Sequence, residues 1–295
     1  MVKLLFLILF FQKPCFQTVT RSGEAVSFAT VKKKNQIEGL FTDENGHFCF
    51  ENLKKGDTLQ FSAVGFQAKE KSFEELMLDS KVFLNSYIHE LEEIVVKTRK
   101  LNLTKAGHLK SEFWGYSHSF SPNSMGIVAQ FIENEKDIVN GIVKNIKLPV
   151  DNHGINFKLR FRFFKNGTKN FPSSQDIIFE NIVVDTGKEA KSVQIDVEKY
   201  TIPFEKDGIW VTIECLGKYD ANNAFLPSKI GQFGKVKYNN KNPTKVASFD
   251  YLSPTYKFLK AKPKIIPYHK SYRGAWEPAW YNAKLAMALG LEIIH

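Results

Sequence analysis

Apolar and polar residues alternate through much of this chain with a period of two, the repeat of a strand whose successive side chains face opposite ways. The clearest case is Phe157-Lys158-Leu159-Arg160-Phe161-Arg162-Phe163. It predicts a half-buried antiparallel strand with Phe157, Leu159, Phe161 and Phe163 inward and Lys158, Arg160 and Arg162 toward solvent. Similar patterning predicts strands at Ser124 to Ile132, Val143 to Val150, Ile177 to Val184, Ser192 to Val197 and Gly208 to Leu216. Turn residues separate them at Asn166-Gly167, Phe171-Pro172, Thr186-Gly187 and Asp207-Gly208. From Leu285 to Ile293 large residues alternate with Ala and Gly, and that period predicts one final strand in spite of the helix propensity of Ala and Leu.

Upstream, shorter strands are expected at Phe28 to Val31, Gly39 to Thr42, His47 to Phe50, Thr58 to Ala63 and Lys81 to Leu84, at the spacing of a small β-sandwich. Asn45-Gly46 predicts a hairpin reversal between Phe41 and Phe48, because both residues tolerate positive φ. The patterning lapses between Thr98 and Lys110, which reads as a polar linker. The expected organisation is therefore all-β: a first sandwich over residues 17–97, a linker at 98–110, and a second sandwich over 111–295. Residues 1–16 read as a signal peptide, since Lys3 precedes the apolar run Leu4 to Phe11, which is far shorter than the roughly 20 residues a membrane span needs. Cleavage is expected near Cys15, Phe16 and Gln17, and export to the periplasm, outer membrane or cell surface follows. Cys15 also raises the question of a lipid anchor, although Gln12, Lys13 and Pro14 are poor residues before a lipidated Cys.

Three separated segments of the first domain occur in an order that resembles a known family. They are Glu24-Ala25-Val26-Ser27-Phe28-Ala29-Thr30-Val31, then Thr42-Asp43-Glu44-Asn45-Gly46 with Phe48, then Leu59-Gln60-Phe61-Ser62-Ala63-Val64-Gly65-Phe66. Together, over residues 17–90, they resemble the carboxypeptidase-like regulatory domain. That resemblance implies a transthyretin-like, immunoglobulin-like Greek-key sandwich of about seven strands and an exported context shared with TonB-dependent receptors. It implies no reaction, because the domain is an accessory module. Leu91 to Lys97 looks like the closing strand of that family, and Ile94, Val95 and Val96 are candidates for adding to the sheet edge of a protein partner. Order and patterning over residues 112–295 resemble, more loosely, the jelly-roll sandwiches of exported bacterial proteins, some of which bind carbohydrate.

Composition narrows the function classes. Hydrophobic residues at 43% and charged residues at 24% exclude a disordered polyelectrolyte, and 26 Phe favour strands. The net charge of +10 is concentrated after residue 226, where 12 Lys and Arg face 3 Asp and Glu. That excess suits an acidic envelope component or glycan, and nothing in the patterning suggests a nucleic-acid module. With cleavage near Cys15, Cys49 and Cys215 are left one to a domain, and each is expected as a small buried side chain rather than part of a disulfide framework.

Motifs for chemistry are scarce. The seven His have no zinc spacing, and no nucleophile elbow or phosphate-binding loop occurs, so no catalytic residue, metal or cofactor is expected. His47 alternates with Phe48 and Phe50 and is expected on the solvent side of its strand. Glu214 is the acid to watch if the chain were instead a glycan-acting hydrolase, whose paired carboxylates need not be close in sequence. The stretch from Lys218 to Trp280 reads as a long insertion, and its Tyr268, Tyr272, Arg273, Trp276 and Trp280 form the candidate ligand surface. Rings there stack on sugar faces and the cations pair with acidic groups. The expected function is binding or scaffolding at the cell envelope.

Overall fold

The computed structural model describes residues 14–36, 39–87, 102–108, 116–119, 127–230, 236–239, 242–249, 253–260, 267–270, 276–278 and 285–295. Strands are numbered in chain order. In the first domain β1 (Cys15–Val19) lies between β4 (His47–Cys49), antiparallel to it, and β7 (Lys81–Phe83), parallel to it. Facing this layer is a sheet in the order β3-β2-β5-β6, built from β2 (Thr30–Lys33), β3 (Gly39–Phe41), β5 (Thr58–Ser62) and β6 (Lys69–Ser72). Phe16, Phe48 and Val82 from one layer meet Val31, Leu59 and Phe61 from the other, each an inward residue of its strand. A short helix, α1 (Phe73–Leu78), follows β6 and starts with a capping box between Ser72 and Glu75.

The second domain is a larger β-sandwich. Its first sheet runs β13-β12-β17-β10-β23-β24, made of β10 (Ile127–Glu133), β12 (Phe157–Asn166), β13 (Pro172–Asp176), β17 (Gly208–Tyr219), β23 (Tyr268–Lys270) and β24 (Trp276–Pro278). Beside it β14 (Ile182–Asp185) pairs with β12, and β18 (Phe225–Pro227) pairs with β17. The second sheet runs β25-β22-β11-β26-β8, from β8 (Leu103–Gly107), β11 (Gly141–Asp151), β22 (Thr255–Lys260), β25 (Leu285–Met287) and β26 (Gly290–Ile294). Along its margins lie β9 (Tyr116–Ser119), β15 (Ser192–Asp196) and β16 (Ile202–Phe204). The core between the sheets is filled by Phe157, Leu159, Phe161 and Phe163 of β12 and Ile209, Val211, Ile213 and Cys215 of β17, against Val143, Ile146 and Leu148 of β11 and Leu291 and Ile293 of β26. These are the inward positions that alternation predicts.

Several expectations need correction. The reversal at Asp43 to Gly46 is present, with Gly46 at φ +73° and the Asp43 carboxylate accepting from the backbone N–H groups of Asn45 and His47. Yet β3 and β4 do not pair, so the turn arches from one layer to the other instead of closing a hairpin. The first strand begins at Cys15, with Phe16 in the core at 4% exposure, inside the segment that reads as signal peptide. Cys15 lies directly across from Cys49 and forms a disulfide with it, so Cys49 is not the lone thiol that the sequence suggests. Residues 103–107 of the expected linker form β8 at the edge of the second sheet, paired along β26. Ile177 to Val184 is not one strand, since β13 ends at Asp176 and β14 begins at Ile182. Leu285 to Ile293 divides at Ala288 and Leu289 into β25 and β26, which take different neighbours while the inward alternation of Met287, Leu289, Leu291 and Ile293 is kept. The Lys218 to Trp280 stretch is not an insertion throughout, because its strands β18, β22, β23 and β24 belong to the two sheets, while β20 (Val236–Asn239) and β21 (Asn242–Phe249) form a separate antiparallel pair.

The largest departure concerns Lys158 and Arg160. They point away from the core of the second domain as predicted, but their exposures are only 6% and 3% because the first domain sits on that face. Phe28 and Phe41 of the first domain pack with Leu216 and, at the margin, Val183 and Phe225 of the second. The connection includes backbone: β19 (Lys229–Ile230), from the second domain, pairs antiparallel with β3 and extends the first domain's sheet. Gly65, at φ +82°, lies so close to the carbonyl of Phe179 that a Cβ there would collide with it. Strand addition and apolar contact together make the two sandwiches one joined body.

Candidate functional site

The outward face of the first sheet of the second domain carries the chemistry, and β17 shows how. Its inward residues belong to the core, while Trp210, Thr212, Glu214 and Leu216 alternate onto the other side. Cross-strand register sets their neighbours: Arg160 faces Glu214, Glu214 faces Ile127, Ile127 faces Lys270, and Lys270 faces Trp276. One row across five strands thus leads from the domain junction to the sheet edge.

At the junction end the charges are sealed. Arg160 Nε donates to Glu214 Oε2 at 2.8 Å, its Nη2 donates to the same oxygen, and its Nη1 donates to the Phe28 carbonyl at 2.9 Å. Both side chains are 3% exposed, and the guanidinium stacks over the Phe41 ring at 5.6 Å. The cost of taking this pair from water is offset because each group meets a partner and the spare donor finds a carbonyl. Nearby, Lys158 Nζ reaches Asp185 at 2.7 Å and Glu44 at 2.9 Å, beneath the rings of Phe28, Tyr219 and Phe225. Burial opposes its charge, but Asp185, Tyr219 and Glu44 outweigh burial and hold its pKa above the ordinary lysine value. Glu214, the acid singled out from sequence, is therefore a structural ion-pair partner.

At the other end the outward residues are aromatic. Trp210 packs on Phe131 at 5.2 Å and Tyr268 at 5.7 Å, and Tyr268 packs on Phe171 at 4.7 Å. Tyr268 is 8% exposed, and burial raises its pKa, so this member of the predicted ligand surface is an anchor of the sheet. Trp276 is half-buried against the same cluster, with Lys270 Nζ 5.5 Å from its ring centroid. Its ring borders an open cleft of about 520 Å³, whose lining includes Thr168, Phe171, Pro172, Ser173 and Ser174. The loop beneath is held by Gly167 N donating to Phe171 O at 2.7 Å, and by Trp210 Nε1 donating to Asn166 Oδ1 at 3.1 Å. Apolar rings with hydroxyls around them suit a ligand that has a flat C–H face and polar edges.

The remaining predicted residues are placed as follows. Tyr272, Arg273 and Trp280, and Ile94, Val95 and Val96, lie outside the described residues. His47 is exposed at the start of β4, with Nδ1 3.8 Å from Asp43 Oδ2. Pattern alone misses Phe171, because the Phe171-Pro172 pair signals only a turn, and it misses Lys270 as the partner of Trp276. It also misses His153, whose Nε2 lies 2.7 Å from Thr255 Oγ1 and whose Nδ1 lies 3.5 Å from Asp151 Oδ1. These three have the residue types of a nucleophile, base and acid, but Thr255 is 7% exposed, and the contact instead fastens the turn after β11 to β22.

Comparison with protein families matches residues 18–96 to the CarboxypepD_reg-like domain, so the first sandwich is a domain of that type. No curated protein matches the chain. Among solved structures, the infectious bursal disease virus Gx strain aligns at 9% identity with a TM-score of 0.16, over 95% of this chain. The chain spans 63% of that viral chain's length, and a likeness this low says nothing of fold or function.

Proposed function

We propose that this chain is an exported cell-envelope protein that binds its target and catalyses no reaction, with the second sandwich, jelly-roll-like in this reading, as the recognition module. The cleft bordered by half-buried Trp276 carries the reading, since it combines a ring, neighbouring hydroxyls and a rigid aromatic floor on one sheet. A glycan is the ligand class whose pyranose C–H face and hydroxyl rim match that lining. The first domain serves as a fixed extension, because β19 and the Phe28, Phe41 and Leu216 cluster join it to the binding sandwich.

Export is supported by the Cys15–Cys49 disulfide, a bond that persists in oxidising compartments. In this reading signal-peptide cleavage falls before Cys15, which keeps Phe16 in the core and commits the Cys15 thiol to Cys49 instead of a lipid. N-terminal sequencing of the envelope protein checks that point. Trp276→Ala is expected to weaken binding to envelope polysaccharide by about 1–3 kcal/mol, the range of a lost stacking contact. Unchanged affinity would remove the cleft from the function.

A further inference from the structure

We propose that the Cys15–Cys49 disulfide is a thiol-exchange site open to dithiol reductants, and that its reduction loosens the hold of the first domain on the second.

Alternation decides which side the bond takes. Phe16 and Phe48 point into the core of the first domain, so Cys15 and Cys49 stand across from each other on the outer side of β1 and β4, and both are exposed. A thiolate therefore reaches their sulfurs without opening the core, and exposed disulfides are the exchangeable ones. Cys215 is buried in the second domain and takes no part. In the exchange one thiolate of the reductant attacks a protein sulfur, forms a mixed disulfide and releases the other protein sulfur as a thiolate. The second thiol of the reductant then displaces the first protein sulfur. The protein gains two electrons and two protons, and the dithiol leaves as a disulfide.

From this bond a short series of contacts leads to the domain junction. Among the described residues, the end of β1 that carries Cys15 pairs with β4 alone, because β7 joins only from Gln17 onward. Gln17 Nε2 donates to Asn45 O at 2.9 Å, Thr18 N donates to Gly46 O at 2.9 Å, and Thr18 Oγ1 donates to Val26 O at 2.7 Å. Gly46 lies so close to the Thr18 carbonyl that a Cβ there would collide with it. The arch from Asp43 to Gly46 is thus seated on β1, and the same arch faces the second domain. Glu44 reaches Lys158 at 2.9 Å, and Ser27 Oγ donates to Glu44 O at 2.6 Å. Asp43 O accepts from Phe28 N at 3.2 Å, and the Phe28 carbonyl accepts from Arg160. A strand end paired on one side opens locally once its cross-link is cut, and here that strand is the seat of the arch that holds Lys158 and Arg160.

The test treats the full chain with dithiothreitol in the absence of denaturant. Cys15 and Cys49 are expected to become reactive to a maleimide while buried Cys215 stays unlabelled. Amide hydrogen exchange is expected to quicken at Thr18, Gly46 and Phe28, and at Phe41, whose N–H donates to Ser228 O across the junction at 3.3 Å. The expected rise on reduction is at least about tenfold, the scale of local opening when a cross-link is lost. Amides shared between β12 and β17 should exchange as before. The double variant Cys15→Ser with Cys49→Ser should show the same pattern and no response to dithiothreitol. A disulfide that is reduced only once the protein unfolds overturns the exchange site. Quickening confined to Thr18 and Gly46 overturns the link to the junction, and quickening spread equally over β12 and β17 does so too, because the bond would then support the whole fold. A double variant that exchanges like the oxidised protein overturns the proposal by showing that dithiothreitol acts elsewhere.

Discussion

The two ends of one sheet face are built from the same alternation and come to opposite surroundings. On β17, Leu216 and Glu214 are covered by the first domain, whereas Trp210, four residues or more away, supports an aromatic surface that remains open at Trp276 and Phe171. At the covered end the outward residues include ions, and they persist because Phe28 supplies both a ring to the cluster and a carbonyl to Arg160. At the open end the aromatic packing is completed within the second domain by β23 and β24. A sheet face becomes a covered junction or an open surface according to what lies over it, and the strand pattern is the same for both.

The largest test of this contrast is Glu214→Ala. It strands the Arg160 charge in the covered junction and is expected to destabilise the protein by about 3–5 kcal/mol in denaturant titration. Replacing both partners by apolar residues of similar volume should recover most of that loss, because no lone buried ion is left. A cost below about 1 kcal/mol for Glu214→Ala would show that water reaches the junction and would dissolve the distinction between the ends. Leu216→Ala comes next, with an expected loss of about 2–4 kcal/mol for an apolar side chain removed from a buried cluster. Its effect should also appear as faster proteolysis near Phe28 and Phe41, the partners it leaves uncovered.

Cys215, between Glu214 and Leu216 but inward, gives a pH-dependent test of the other face. Burial pushes its thiol pKa up from 9.0 to about 12. The folded state therefore keeps its proton where the unfolded chain has lost it. The stabilisation linked to this thiol is whole below about pH 9 and disappears as pH rises toward about 12. The slope is up to about 1.4 kcal/mol per pH unit for one proton, and Cys215→Ala should lose that share of it in alkaline unfolding curves. The smallest expected change is in the stability of Trp276→Ala, about 1 kcal/mol or less, because the ring is only half-buried at the sheet edge. Unfolding by that substitution would make Trp276 an anchor like Tyr268 and would leave the open end without the ring proposed for binding.

Strand alternation makes the inward faces legible in the amino-acid sequence alone. Phe157 to Phe163 and Ile209 to Cys215 fill the core at the predicted positions, and the first domain is recognisable from three short segments. The aromatic site is half legible. Trp276 and Tyr268 both stand out in the sequence, but their roles diverge, since Tyr268 faces Ala129 on a central strand and Trp276 lies on the outermost. Pairing partners are what separate them, and pairing is a long-range property that periodicity does not carry.

By itself the sequence determined the class of fold, the inward and outward sets on the long strands, and the kind of the first domain, because these depend on local period and turn chemistry. Only the tertiary structure decided what covers the outward sets. Lys158 and Arg160 are charged and alternate with Phe, which reads as solvent exposure in any single strand. Bringing Phe28, Phe41 and Glu44 across from another domain turns the same residues into a buried junction, since the cost of desolvating a charge depends on the partners it meets and those partners are more than a hundred residues away.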